Sequence, residues 1–195
     1  MKFKEKTVIV TAGSKGIGRA VVKAFLDEGA NVATCSRNCE VLSEENQRLL
    51  KVSGNIKDIK FLSDLHKSVE NHFDSSVDIL VNNNGGPPPG PAISHGEDAW
   101  ADAINGNLLS TIRMTNLVIP GMIQAKWGRI INLTSAAAKE PAPGMVLSNV
   151  TRAAVAAFSK TMAHEHGPDG ITVNTILTGG VATERFNSLV QKQVD

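Results

Sequence analysis

A glycine-rich turn, Thr11-Ala12-Gly13-Ser14-Lys15-Gly16-Ile17-Gly18, stands between a β-branched run, Thr7-Val8-Ile9-Val10, and an amphipathic stretch that starts at Ile17. Strand, turn and helix in that order aim a row of backbone N–H groups at an anion. Gly13 has no Cβ to obstruct a tight turn, Gly16 lets the backbone approach a phosphate closely, and Gly18 lets the helix pack against the strand. The helix N-terminus, with Ser14, Lys15 and Ile17 beside it, suits a pyrophosphate. A ligand-free turn would collect glycines for the same conformational reasons. The position of the motif, after a strand and opening a helix at the start of the chain, favours the anion.

The elements that must hold this turn follow from the rest of the pattern. Strand-like runs recur at Thr7 to Thr11, Asn31 to Ser36, Leu49 to Ser53, Asp78 to Asn82, Arg129 to Thr134 and Ile171 to Ile176, and helical patterns fill the gaps. The first helix shows Ile17, Val21, Ala24, Phe25 and Ala30 on one side and stops at Gly29. A later one starts near Gly96, with Ser94 and Glu97 spaced as a capping box, and runs to about Ala125. Such alternation predicts an α/β fold: one domain over residues 1–195, a three-layer, Rossmann-type, doubly wound parallel sheet with strand order 3-2-1-4-5-6. The loop Gly85-Gly86-Pro87-Pro88-Pro89-Gly90-Pro91 follows the fourth strand at the ligand-binding edge of that sheet. It reads either as a stiff pocket wall without N–H donors or as a rigid surface connection.

Composition narrows the partners. The chain carries 20 Lys and Arg against 19 Asp and Glu, a formal net charge of +1, with no dense basic run, which argues against nucleic acid and anionic membrane. No apolar run reaches bilayer-spanning length and Met1 to Lys6 has no signal-peptide core, so a cytoplasmic location is expected. Cys35 and Cys39 form neither a disulfide framework nor half a zinc site, and Cys35 reads as a small buried side chain. His164-Glu165-His166 lacks the spacing that puts two ligands on one helix face, so no metal is expected. His66 and His72 lie on a helix away from the glycine turn. His95, alone after the proline loop, either reaches the site or is exposed ahead of a helix.

Asn82-Asn83-Asn84-Gly85 closes the fourth strand and Gly128-Arg129-Ile130-Ile131-Asn132-Leu133-Thr134-Ser135 forms the fifth. With the glycine turn, these segments resemble the short-chain dehydrogenases, whose pattern is Thr-Gly-x-x-x-Gly-x-Gly, then Asn-Asn-Ala-Gly, then a serine ending the fifth strand. The resemblance runs from about Lys6 to Glu184 and includes Ile171-Thr172-Val173-Asn174 and Thr183-Glu184. Ala12 replaces the motif's first glycine and Asn84 its alanine, both mild changes. The resemblance implies an NAD(P)-dependent oxidoreductase in which Asn107, seven residues after Trp100, and Ser135 orient substrate and water. A serine ending a strand can equally cap the following loop. The family's catalytic tyrosine and lysine fall on Ser148 and Arg152, and the chain contains no tyrosine. A phenol starts near a pKa of about 10 and can be tuned down, whereas serine's hydroxyl is a poor proton donor. Arg152 keeps the positive charge one helical turn from Ser148, for ribose and a developing oxyanion, but cannot shuttle protons; otherwise it is an ordinary exposed arginine. With Lys139-Glu140-Pro141 and Leu147-Ser148-Asn149, the chain is similar to a divergent β-ketoacyl-carrier-protein-reductase-like subgroup that also lacks the tyrosine.

Ser36-Arg37 ends the second strand where such folds place an acid for a ribose hydroxyl or an arginine for a 2′-phosphate. With Lys15, Arg37 offers two cations to that phosphate, so NADP(H) is expected over NAD(H), unless both side chains are merely solvated. The resemblance places Asn55 and Ile56 beside the adenine and adds Asn82, Asn84, Val181 and Thr183 to the cofactor set. The expected activity is reduction of a small carbonyl or oxidation of an alcohol. The alternative is a non-catalytic NADP(H)-binding regulatory or assembly protein. A homo-oligomer is expected through the helices around Glu97 to Ala125 and Ser148 to His166, and by the resemblance the family's lid is expected to be only begun, and its seventh strand missing, in this sequence.

Overall fold

The computed structural model describes residues 1–184, 186 and 187. Six strands, β1 (Thr7–Thr11), β2 (Asn31–Ser36), β3 (Leu49–Ser53), β4 (Ile79–Asn82), β5 (Gly128–Ser135) and β6 (Ile171–Thr178), form one sheet in the order β3-β2-β1-β4-β5-β6. Every neighbouring pair is parallel, with registers such as Val10↔Val81, Asn82↔Asn132 and Leu133↔Ile176. The expected order is therefore the observed one. β1 and β4 are buried along their whole length, as central strands covered on both faces must be.

Helices α1 (Gly16–Asp27), α2 (Ile59–Phe73), α3 (Glu97–Ala103), α4 (Ser110–Ala125) and α5 (Val146–His166) cover the sheet unequally. α2, α4 and α5 pack on one face around Ile9, Leu62, Leu65, Leu80, Met114, Met122 and Ile130. On the other face α1 closes over Val8, Val10, Val32 and Val81. α1 buries Gly18, Val22 and Leu26 against the sheet, and the predicted Ile17, Val21 and Phe25 pack half-buried beside them, while Ala24 is exposed. Val21, Ala24 and Phe25 line an apolar cleft of about 310 Å³ with Phe3, Ile131, Leu133 and Ile176.

Three local expectations are corrected. No helix joins β2 to β3: the polar stretch buries only Cys39 and Leu42, and Asn38 and Asn46 accept from Glu40 N and Arg48 N to make tight turns. The capping box does not form, because Ser94 Oγ donates to Pro91 O at 2.8 Å and Gly96 takes the N-cap position. The long helix from there to Ala125 is interrupted by a π-turn, Ile104–Leu109, between α3 and α4.

Candidate functional site

The glycine turn crosses from β1 to α1 at the carboxyl edge of the sheet, next to the point where the strand order reverses between β1 and β4. Gly16 takes φ +54, a left-handed value that favours glycine. Ala12 takes φ +49, so its methyl group sits where the backbone disfavours one. Gly13 packs tightly: a Cβ there would stand 2.1 Å from Thr34 Oγ1 and 2.8 Å from Val22 Cγ2. α1 begins without a side-chain cap and without an acidic residue in its first turn, so its first N–H groups remain available to an anion.

From this turn a groove of about 1560 Å³ runs along the sheet edge. Ser14, Lys15, Gly16 and Ile17 of the turn, Ser36 and Arg37 after β2, Asn55 and Ile56 after β3, Asn84 after β4, Asn107, and Val181 and Thr183 after β6 all line it. Twelve of the sequence-predicted residues thus share one cavity wall. Arg37 is exposed there and forms no ion pair among the described residues. Lys15 does not join it: its ammonium is held 3.0 Å from Glu184 Oε2. Within the proline loop, Gly85, Gly86 and Pro87 line the groove, while Pro88 and Pro89 are exposed and Gly90 bridges to Met145.

The remaining predicted residues are not among those that line the groove. Gly13 and Gly18 are buried in the β1–α1 packing, where a Cβ at Gly18 would stand 2.5 Å from Ala12 O. Asn82 is buried in a polar chain through the core: its Nδ2 donates to Asn132 Oδ1 at 2.8 Å, and Asn132 Nδ2 donates to Ser159 Oγ at 2.8 Å. Ser135 Oγ accepts from Ala137 N at 3.2 Å, the loop-capping role. Ser148 is buried in the first turn of α5. Arg152 is also buried, at 7% exposure, which removes the reading as a surface arginine. Its Nη1 donates to Leu133 O at 3.0 Å and its Nη2 approaches Asn84 O at 3.5 Å, so its charge stands between the ends of β5 and β4.

Asn107 lies in the π-turn, 3% exposed, and donates through Nδ2 to Thr151 Oγ1 at 3.3 Å. π-turns displace backbone carbonyls from their usual partners and recur at functional positions. Asn84, where the family motif has alanine, supplies the missing donor: its Nδ2 reaches Gly106 O at 3.1 Å and Asn107 O at 3.2 Å. Its Oδ1 is buried without a hydrogen-bond partner among the described residues, an acceptor left on a groove-lining side chain. Asn83, Lys57 and Asp102 also line the groove and were not singled out from the sequence. Asn83 was within reach, since it sits in the quoted Asn-Asn-Asn-Gly segment; Lys57 and Asp102 carry no local signal.

His95 is not part of the groove wall and packs against Gly90. Burial pushes the Cys35 thiol up to about 12, in keeping with an inert core residue.

Comparison with known proteins agrees with this architecture. The sequence profile described as short chain dehydrogenase matches residues 6–194. The chain is 33% identical over 199 residues to the 3-oxoacyl-[acyl-carrier-protein] reductase FabG of Vibrio harveyi, covering 99% of this chain and 80% of that protein. It is 34% identical over 193 residues to the FabG of Chlamydia trachomatis, covering 94% of this chain and 77% of that one. A Caenorhabditis elegans short-chain dehydrogenase/reductase of unknown function, solved with cofactor, superposes with a TM-score of 0.91 at 28% identity over 99% of this chain and 78% of its own.

Proposed function

The chain belongs to the short chain dehydrogenase family, and from that premise we propose that it is an NADP(H)-dependent oxidoreductase acting on a small carbonyl or alcohol. The observation that carries this reading is the groove itself: an uncapped helix N-terminus, an arginine without an ion pair among the described residues and an asparagine-bearing π-turn share one cavity. These fit an elongated ligand that carries a pyrophosphate and a further, separate phosphate. The α1 N-terminus and Gly16 would hold the pyrophosphate, Arg37 and Ser36 the ribose 2′-phosphate, and Asn55 with Ile56 the adenine. Val181, Thr183 and Asn84 would flank the opposite end. When bound, the dinucleotide would supply or accept a hydride at a substrate carbon.

The chain's own groups organise that end. Arg152, buried and hydrogen-bonded to two main-chain carbonyls, contributes a fixed positive charge in a poorly solvated place, where it favours a developing oxyanion. It does not transfer a proton, because guanidinium stays protonated. Ser148 occupies the proton-donor position with a hydroxyl too weakly acidic for that task, so the proton comes from water or from the substrate itself. Asn107 and Ser135 orient the reacting oxygen. Slow turnover of simple ketones follows, since a positioned general acid contributes about 10²- to 10⁴-fold.

The second reading, a non-catalytic NADP(H)-binding protein, is favoured by one feature: Ser135, Ser148 and Arg152 are not among the residues that line the groove. Turnover separates the two. Ketones, aldehydes, ketoacyl thioesters and sugars are offered with NADPH, and loss of the reduced nicotinamide absorbance is followed. Measurable reduction that falls at least about tenfold in Arg152→Met supports the enzyme. Saturable NADPH binding without any turnover supports the rival.

A further inference from the structure

The π-turn Ile104–Leu109 is tied to the Asn55–Lys57 stretch of the groove wall by one lysine and one arginine. Lys57, directly after Asn55 and Ile56, pairs its ammonium with Asp102 in the last turn of α3, just ahead of the π-turn. Its side chain lies against Gly106, so closely that a Cβ there would stand 3.0 Å from Lys57 Cε. Its main chain is held as well: Lys57 N donates to Asn55 Oδ1 at 3.1 Å and Lys57 O accepts from Arg113 Nη1 at 3.1 Å. The same Arg113 nitrogen donates to Asn105 Oδ1, inside the turn, at 2.5 Å. Arg113 is only partly exposed, and a planar guanidinium joining a main-chain carbonyl to a side-chain carbonyl fixes their relative position better than a single flexible contact.

We infer that Lys57 and Arg113 are positioning residues that couple occupation of the Asn55–Ile56 end of the groove to the geometry of the π-turn, and through it to Asn107. This rests on the groove being a dinucleotide site. A ligand seated on Asn55 and Ile56 restrains the Lys57 backbone, Lys57 and Arg113 restrain residues 102–106, and Asn107 follows in the same turn. The coupling is reciprocal, so what stabilises the turn also tightens the adenine end.

Adenosine 2′,5′-bisphosphate is the probe, because it fills the adenine end without a nicotinamide. Backbone amide exchange of residues 104–109 is measured with and without it, in wild type, Lys57→Met and Arg113→Met. Wild type should bind the probe and exchange these amides about tenfold more slowly. Both variants should still bind it, within about threefold, with protection reduced in Lys57→Met and lost in Arg113→Met. Should Arg113→Met fail to fold, Lys57→Met and Asp102→Asn, which alter more exposed groups, give the same readout. Binding without protection in wild type, or protection unchanged in the variants, overturns the coupling and leaves the dinucleotide site standing. Failure of wild type to bind the probe overturns both.

Discussion

Replacing Gly13 by alanine tests whether this glycine is required by packing or by a ligand. The new Cβ would stand 2.1 Å from Thr34 Oγ1, 3.2 Å from Thr34 Cβ and 2.8 Å from Val22 Cγ2. Thr34 is fully buried and its hydroxyl donates to Val10 O at 2.8 Å, so it cannot swing aside without giving up that bond. Val22 is clamped between α1 and the sheet. Overpacking of this kind costs about 1–3 kcal/mol, and a lost hydrogen bond adds about 1 kcal/mol. Gly13→Ala should therefore lose about 2–4 kcal/mol, moving a urea midpoint down by roughly 1–2 M. Thr34→Ala removes the obstructing oxygen. On that background the same Gly13→Ala change should cost less than about half as much, a clear non-additivity between neighbours. A single variant within about 0.5 kcal/mol of wild type, or two penalties that add, would refute the packing argument.

Ala12→Gly releases a left-handed alanine at about 1–2 kcal/mol and returns about 0.4–1 kcal/mol through the unfolded chain, so the melting temperature should rise by a few degrees; a fall contradicts the strain. Glu184→Gln frees Lys15 and removes a carboxylate from beside the glycine turn, so NADPH affinity should rise about two- to fivefold at low salt, less at high salt; unchanged affinity would show that the pair does not compete with the ligand. Burial holds the His66 imidazole below its ordinary value, against the opposing pull of Glu70. The unfolded chain then binds the extra proton more readily, so stability present above about pH 6.5 is lost as pH falls through the lower folded value. Melting His66→Gln and wild type at neutral and acidic pH should show a smaller acid loss in the variant.

How much of this was legible in the sequence depended on range. The glycine turn, the strand positions and the sheet order are written in short segments whose partners are backbone groups, and these agree with the structure. So does the gathering of Ser36, Arg37, Asn55 and Ile56 with the turn, because a doubly wound sheet brings its strand ends to one edge. What was not legible rests on contacts between distant residues. The π-turn depends on Asn84, over twenty residues upstream, donating to Gly106 O and Asn107 O, and no periodicity announces that. Lys15 reads as a phosphate ligand until Glu184, 169 residues later, is found against it. The α1 periodicity found the half-buried Ile17, Val21 and Phe25 but not that Gly18, Val22 and Leu26 would be the most deeply buried, which depends on the sheet residues opposite them. Ser94 met the spacing of a capping box, yet a proline carbonyl three residues back was nearer.

The central claim, that the groove is an NADP(H) site read by Arg37, is tested most directly by titrating wild type and Arg37→Ala with NADPH and with NADH at one ionic strength. The expected result is saturable binding of both dinucleotides, tighter for NADPH, with Arg37→Ala losing about tenfold for NADPH and less than about twofold for NADH, the scale of one charge-assisted contact at an exposed site. Tighter binding of NADH, or an Arg37→Ala variant that holds NADPH as well as wild type does, would contradict it.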